Sequence, residues 1–112
     1  MPNFKNSRTA EDIKREMTAI LRELKDPRIN KMLTIVRTDL SGDMSYCKIY
    51  VSCLEGIEST KESIKGLKSA ERFIRHELFH RLKLRKAPEL VFIADSSIER
   101  GAEISRKLNE LL

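Results

Sequence analysis

The apolar residues of this chain change their spacing along its length, and that change fixes the class of fold. Between residues 8 and 24 they fall at Ala10, Ile13, Met17, Ile20, Leu21 and Leu24. This is the stripe of one helix face. Ser7 or Thr9 is placed to cap that helix, and Glu11 and Asp12 suit its first turn. Asp26-Pro27 ends it, because the residue before a proline is pushed out of the α region. Residues 33–40 and 45–54 are then rich in β-branched and aromatic side chains, with Ser41-Gly42-Asp43 between them. That pattern predicts an antiparallel hairpin. In its second strand Cys47, Ile49, Val51 and Cys53 share one face, and Tyr46, Lys48, Tyr50 and Ser52 the other; the first face is the buried one.

The helical period returns after residue 58. Ser59-Thr60-Lys61-Glu62 has the form of a capping box opening a short helix that Gly66 interrupts. A longer helix covers about 69–83 and stops before Pro88. Residues 89–95 form a compact apolar strand. Ser96-Ser97-Ile98-Glu99 is a second capping box, opening a helix with Ile98, Ala102, Ser105, Leu108 and Leu112 on one face, weakened somewhat by Gly101. Two sequential strands and a third from later in the chain give one three-stranded sheet covered by helices, an α+β fold. The 112 residues suit a single domain spanning 1–112. Leu, Ile, Val and Phe number 31, about 28%, too many for a disordered chain. The longest apolar run, Leu90 to Ala94, is far short of a membrane span. The first residues lack the apolar region of a secretory signal. We therefore expect a cytoplasmic domain without membrane contact.

The net charge is +5, and its location matters more than its size. Residues 1–64 carry 11 basic and 10 acidic groups, residues 65–86 carry 8 and 2, and residues 87–112 carry 3 and 5. The whole excess lies in one stretch of 22 residues, which points to a polyanionic partner. On a helical wheel of 67–83, Leu67, Ala70, Phe73, Ile74, Leu78 and Leu82 fall on the side facing the core. Lys68, Arg72, Arg75, His76, Phe79 and Lys83 fall on the other, and Arg85 and Lys86 extend the charge. These residues are candidates for nucleic-acid contact, with Phe79 able to stack on a base. A solvated charged face is the plain alternative, but such a face usually mixes both signs. The N-terminal cations, Lys5 to Lys31, are interleaved with acids and form a mixed surface.

Two other chemistries are open. His76-Glu77-Leu78-Phe79-His80 matches H-E-x-x-H, in which two histidines at i and i+4 hold zinc and the glutamate activates water. Glu99 or Glu103 would supply a third ligand for such a zinc hydrolase. The surrounding cations oppose a divalent ion, and Glu77 points towards Ala70, Phe73 and Ile74, where it is half-buried. We expect no metal site. A module binding an acidic protein through the sheet and Phe79 is the second rival. Cys47 and Cys53 lie about 20 Å apart on one strand, too far for a disulfide, and belong to the core. No glycine-rich phosphate loop is present.

The order helix-strand-strand-helix-helix-strand resembles a type II KH domain, a single-stranded RNA-binding fold. KH domains usually carry a GxxG loop, and this chain has no such spacing. Its motifs resemble the bacterial ribosome-binding factor A family, which also lacks the loop. They are Leu24-Lys25-Asp26-Pro27-Arg28, Cys47-Lys48-Ile49-Tyr50-Val51-Ser52, Phe73-Ile74-Arg75, Leu82-Lys83-Leu84-Arg85, Pro88-Glu89-Leu90 and Asp95-Ser96-Ser97-Ile98-Glu99-Arg100-Gly101. The likeness spans about residues 4–110. One departure stands out. The family has an Ala-x-Gly kink between its two middle helices, whereas here Ala70 is followed by Arg72 in the glycine slot. The kink either moves towards Gly66 or forms at Arg72 without a glycine. The resemblance implies a monomeric, non-enzymatic factor, without cofactor or small-molecule substrate. Such a factor binds the 30S ribosomal subunit and its 16S rRNA during late maturation. It supports rRNA 5′-end processing and cold adaptation. Arg28 joins Lys68, Arg72, Arg75, His76, Phe79, Lys83, Arg85 and Lys86 as the expected RNA-contacting set.

Overall fold

A computed structural model describes the backbone of residues 4–111; the side chains of residues 4–7, 99, 102 and 103 lie outside the described set. Helix α1 (Phe4–Glu23) is followed by strands β1 (Thr34–Leu40) and β2 (Tyr46–Ser52) and helices α2 (Ile57–Ser69) and α3 (Glu71–Leu82). Strand β3 (Glu89–Ala94) and helix α4 (Ser97–Leu111) complete the chain. The sheet order is β1-β2-β3, with β1 antiparallel and β3 parallel to β2. Helix α1 lies along β1, α2 along β3, and α3 against α1. The expected α+β class and three-stranded sheet are found.

The alternation in β2 builds the core. Cys47, Ile49 and Val51 are wholly buried and stand beside Leu90, Phe92 and Ala94 of β3. Onto this face press Ile13, Met17 and Ile20 of α1, Leu67 of α2, and Ile74 and Leu78 of α3. Burying each such side chain contributes roughly 1.5–3 kcal/mol. Both cysteines are free and buried, and burial pushes the Cys47 thiol up to about 11. The hairpin turn closes around Asp43, whose Oδ1 accepts hydrogen bonds from Ser41 Oγ, Ser45 N and Ser45 Oγ. Those bonds, those from Ser45 foremost, lower its pKa to about 2.

Several boundaries differ from expectation, each for a local reason. Helix α1 already runs from Phe4, so Ser7 and Thr9 lie within it and neither is its cap; the polar residues before the apolar stripe are helical too. Helix α2 begins at Ile57 after Gly56, whose φ of 112° favours glycine. The supposed capping box at residues 59–62 is therefore inside the helix. Its hydroxyls serve the tertiary fold instead. Ser59 Oγ accepts from Asn30 Nδ2 at 3.0 Å. Thr60 Oγ1 accepts from Cys53 N at 3.2 Å and donates to the Gly56 carbonyl at 3.0 Å. Gly66 does not interrupt α2. A Cβ there would meet Ile29 Cγ1 at 2.6 Å, so the glycine admits the 24–33 loop against the helix. The junction with α3 is Ala70 alone, at φ −97° and ψ 6°, and neither Gly66 nor Arg72 makes it.

Helix α4 starts at Ser97 as expected, with Asp95 Oδ1 accepting the Ser97 amide at 2.6 Å. Its proposed apolar face is only partly seated. Ile98 is half-buried but Leu108 is exposed, while the side chain of Ala102 and all of Leu112 lie outside the described residues. Ser52, assigned to the outer face, is wholly buried. Among the described residues no helix is long and apolar enough to cross a membrane.

Candidate nucleic-acid interface

Helix α3 is anchored by Ile74 and Leu78, which are wholly buried. Its opposite side exposes Arg72, Phe73, His76, Phe79, His80 and Lys83. Phe73 was expected on the core side, yet it is 46% exposed. The wheel treated 67–83 as one helix, whereas the break at Ala70 resets the phase, so Leu67 does not predict where Phe73 points. Lys68, at the end of α2, and Arg85 and Lys86, beyond α3, are also exposed. None of Lys68, Arg72, Lys83, Arg85 and Lys86 forms an ion pair with a described residue.

The other predicted cations are partly engaged. Arg75 Nη2 donates to the Ala87 carbonyl at 3.0 Å and ties α3 to the 85–88 segment. Arg28 forks onto Asp26 through Nε and Nη2, and its Nη2 also donates to Ser69 Oγ at 2.9 Å. The side-chain bond to Arg28 holds the Asp26 carboxyl below its ordinary value. Arg28 thus sits beside the α2–α3 junction, with its charge largely offset by Asp26. Arg81, part of the same basic stretch, faces away towards α1. It donates to both oxygens of Glu23 at 2.8 and 2.9 Å and to Glu77 at 3.3 Å, and pairs with Glu16 at 3.8 Å.

The His76 and His80 rings lie 4.3 Å apart, and the Phe79 ring meets His80 edge-on at 5.5 Å. The pair therefore shares an exposed helix face, as i and i+4 positions must. Glu77 is half-buried, as anticipated, and bound by Arg81, so it is held towards α1 and away from the histidines. Among the described residues no three His, Cys, Asp or Glu are grouped to hold a metal. The side chains of Glu99 and Glu103, offered as third ligands, lie outside the described residues.

Helix α3 therefore presents cations, imidazoles and two phenylalanines on one ledge, continued by Lys68 at one end and by Arg85 and Lys86 at the other. Such a ledge can neutralise phosphates and stack on bases. Phe73 and His80 were missed from sequence. For His80 the signal was its i+4 spacing from His76; for Phe73 it was Ala70, the single residue between α2 and α3.

The element order, the mixed sheet and the missing GxxG spacing define a KH-like domain without the usual backbone clamp. The chain belongs to the Ribosome-binding factor A family, whose family model matches residues 5–108. It is 44% identical over 109 residues to the ribosome-binding factor A of Caldanaerobacter subterraneus subsp. tengcongensis, covering 96% of this chain and 89% of that protein. The solution structure of a ribosome binding factor A homologue from Thermotoga maritima superposes with a TM-score of 0.74 at 33% identity, covering 83% of this chain and 89% of that one. A homology model of the Thermus thermophilus protein, fitted into a cryo-EM map of a 30S complex, superposes at 0.66 with 28% identity, covering 79% and 92%.

Proposed function

We propose that this chain binds the 30S subunit through its 16S rRNA and acts by binding, with no catalysed reaction. The observation that carries the reading is the exposed row Lys68, Arg72, Lys83, Arg85 and Lys86, free of ion pairs with described residues. The 30S complex of the Thermus relative supports the same partner. Phosphate contacts of this kind position a protein and carry little base information. Phe73 and Phe79 add stacking at the two edges of the ledge. The factor works as a cytoplasmic monomer of one domain during late maturation, supporting 5′-end processing of the rRNA and growth in the cold.

Arg72→Glu with Lys83→Glu tests the assigned face, because neither side chain holds the fold together. Co-sedimentation with small subunits should fall at least tenfold while the circular dichroism spectrum is unchanged, and large subunits serve as control. A strain carrying the pair should accumulate 16S precursor with an unprocessed 5′ end, more so in the cold. Undiminished co-sedimentation would overturn the assignment.

A further inference from the structure

We infer that a groove between α1 and the 24–33 loop is a docking site for an acidic protein segment carrying bulky aliphatic side chains. The groove encloses about 610 Å³, within the range of ligand-binding clefts. Its floor is Leu21, Leu24 and Ile35, and its rim bears Arg22, Lys31 and Met32. Met32 is 69% exposed. An adjoining concavity shares Leu24, Lys31 and Met32 and adds Lys25.

The sequence explains why this surface stays open. Leu21, near the end of α1, and Leu24, just beyond it, remain only partly buried. The loop after Pro27 is fastened on its far side instead, by Asn30 N to Ser63 Oγ at 2.9 Å and Asn30 Nδ2 to Glu55 at 2.7 Å. It therefore stands off the end of α1 and leaves a trough.

Charge decides the occupant. Arg22, Lys25 and Lys31 are exposed and form no ion pair with a described residue, although acids surround them in sequence. Glu23 is taken by Arg81 and Asp26 by Arg28. Glu55, at the edge of the second concavity, accepts from the neutral Asn30 amide and keeps its charge, but the first groove is lined by Arg22 and Lys31 and by no carboxylate. What remains is a cationic rim over an aliphatic floor. No aromatic ring lines either concavity, so a nucleobase finds no stacking partner there. Leucine or isoleucine side chains fit the floor, carboxylates fit the rim, and a flexible exposed methionine suits an adaptable protein contact. None of the groove residues belongs to the α3 ledge, so both surfaces can be occupied together.

The test is an NMR titration of the whole labelled chain with three probes. The first is a ten-residue peptide of Asp and Glu around a central Leu-Leu pair. The second is the same peptide with both leucines changed to serine, and the third is a ten-nucleotide oligouridylate. We expect the leucine peptide to shift amides at residues 21–24 and 31–35, and the serine peptide to bind at least tenfold more weakly. Arg22→Glu with Lys31→Glu should weaken the leucine peptide at least tenfold, and Arg22→Gln with Lys31→Gln repeats the test should the first pair fail to fold. Oligouridylate should perturb α3 and leave the groove unchanged. The inference is overturned by a leucine peptide that does not bind or binds elsewhere, by equal binding of both peptides, or by oligouridylate filling the groove.

Discussion

Lys83 closes α3 in a left-handed conformation, at φ 51° and ψ 47°. A residue with a Cβ there is disfavoured by about 1 kcal/mol relative to glycine, which is the common choice at this position. A strained lysine at the end of a cationic ledge is the mark of a charge kept at some expense to stability. Lys83→Gly should accordingly raise stability in thermal melts by about 1 kcal/mol and weaken small-subunit co-sedimentation severalfold. A variant that loses stability would show that the lysine stem contributes more by contact than its backbone costs. Thr60 makes the opposite case, a hydroxyl that works only inward. It is wholly buried and its Oγ1 accepts the hydrogen bond of the Cys53 amide. Thr60→Val keeps the shape but strands that amide, at a cost of about 1–3 kcal/mol. Urea titration should show it, with subunit binding unaffected under native conditions.

At the scale of the element, period was legible and punctuation was not. The alternation in 45–54 placed Cys47, Ile49, Val51 and Cys53 on the buried face, where they lie, because a sheet with one covered face leaves little choice of register. The helix starts were misplaced because Ser59-Thr60-Lys61-Glu62 satisfies a local rule while Gly56 satisfies a stronger one. A side-chain hydroxyl is free to serve a distant backbone amide, and no local pattern reports that. Gly66 shows the same limit. By propensity it breaks a helix; in the fold it lets Ile29 approach. Gly66→Ala gains about 1 kcal/mol of helix propensity and loses about 1–3 kcal/mol to overpacking against Ile29. Net destabilisation of about 1 kcal/mol is expected. In an Ile29→Ala background the same substitution should become neutral or favourable, since the two Ile29 atoms it meets are gone and only the Asp26 Cγ at 3.3 Å remains. A double-mutant cycle by denaturant unfolding measures that coupling directly.

For the whole molecule, the sequence located the excess charge within residues 65–86 but not its facing. The fold turns Arg81 inward to Glu16, Glu23 and Glu77, commits Arg75 to a backbone carbonyl, and leaves Lys68, Arg72, Lys83, Arg85 and Lys86 on the outside. Counterion release turns this division into a measurement. Each phosphate neutralised on RNA steepens the fall of log K with log salt by about 0.7–0.9. Five exposed cations in contact give a slope of about −3.5 to −4.5. Replacing Arg72 and Lys83 by glutamine should flatten it by about 1.4–1.8. Arg81→Gln removes the same unit of charge from the same stretch, so a net-charge account predicts a flatter slope for it as well. The geometry predicts otherwise. Arg81 touches no partner, so the slope should hold while the melting temperature falls as three carboxylates lose their shared cation. Only an interface fixed by which way each charge faces separates the two variants, and a slope that changes equally in both would return the basic stretch to a diffuse cationic cloud.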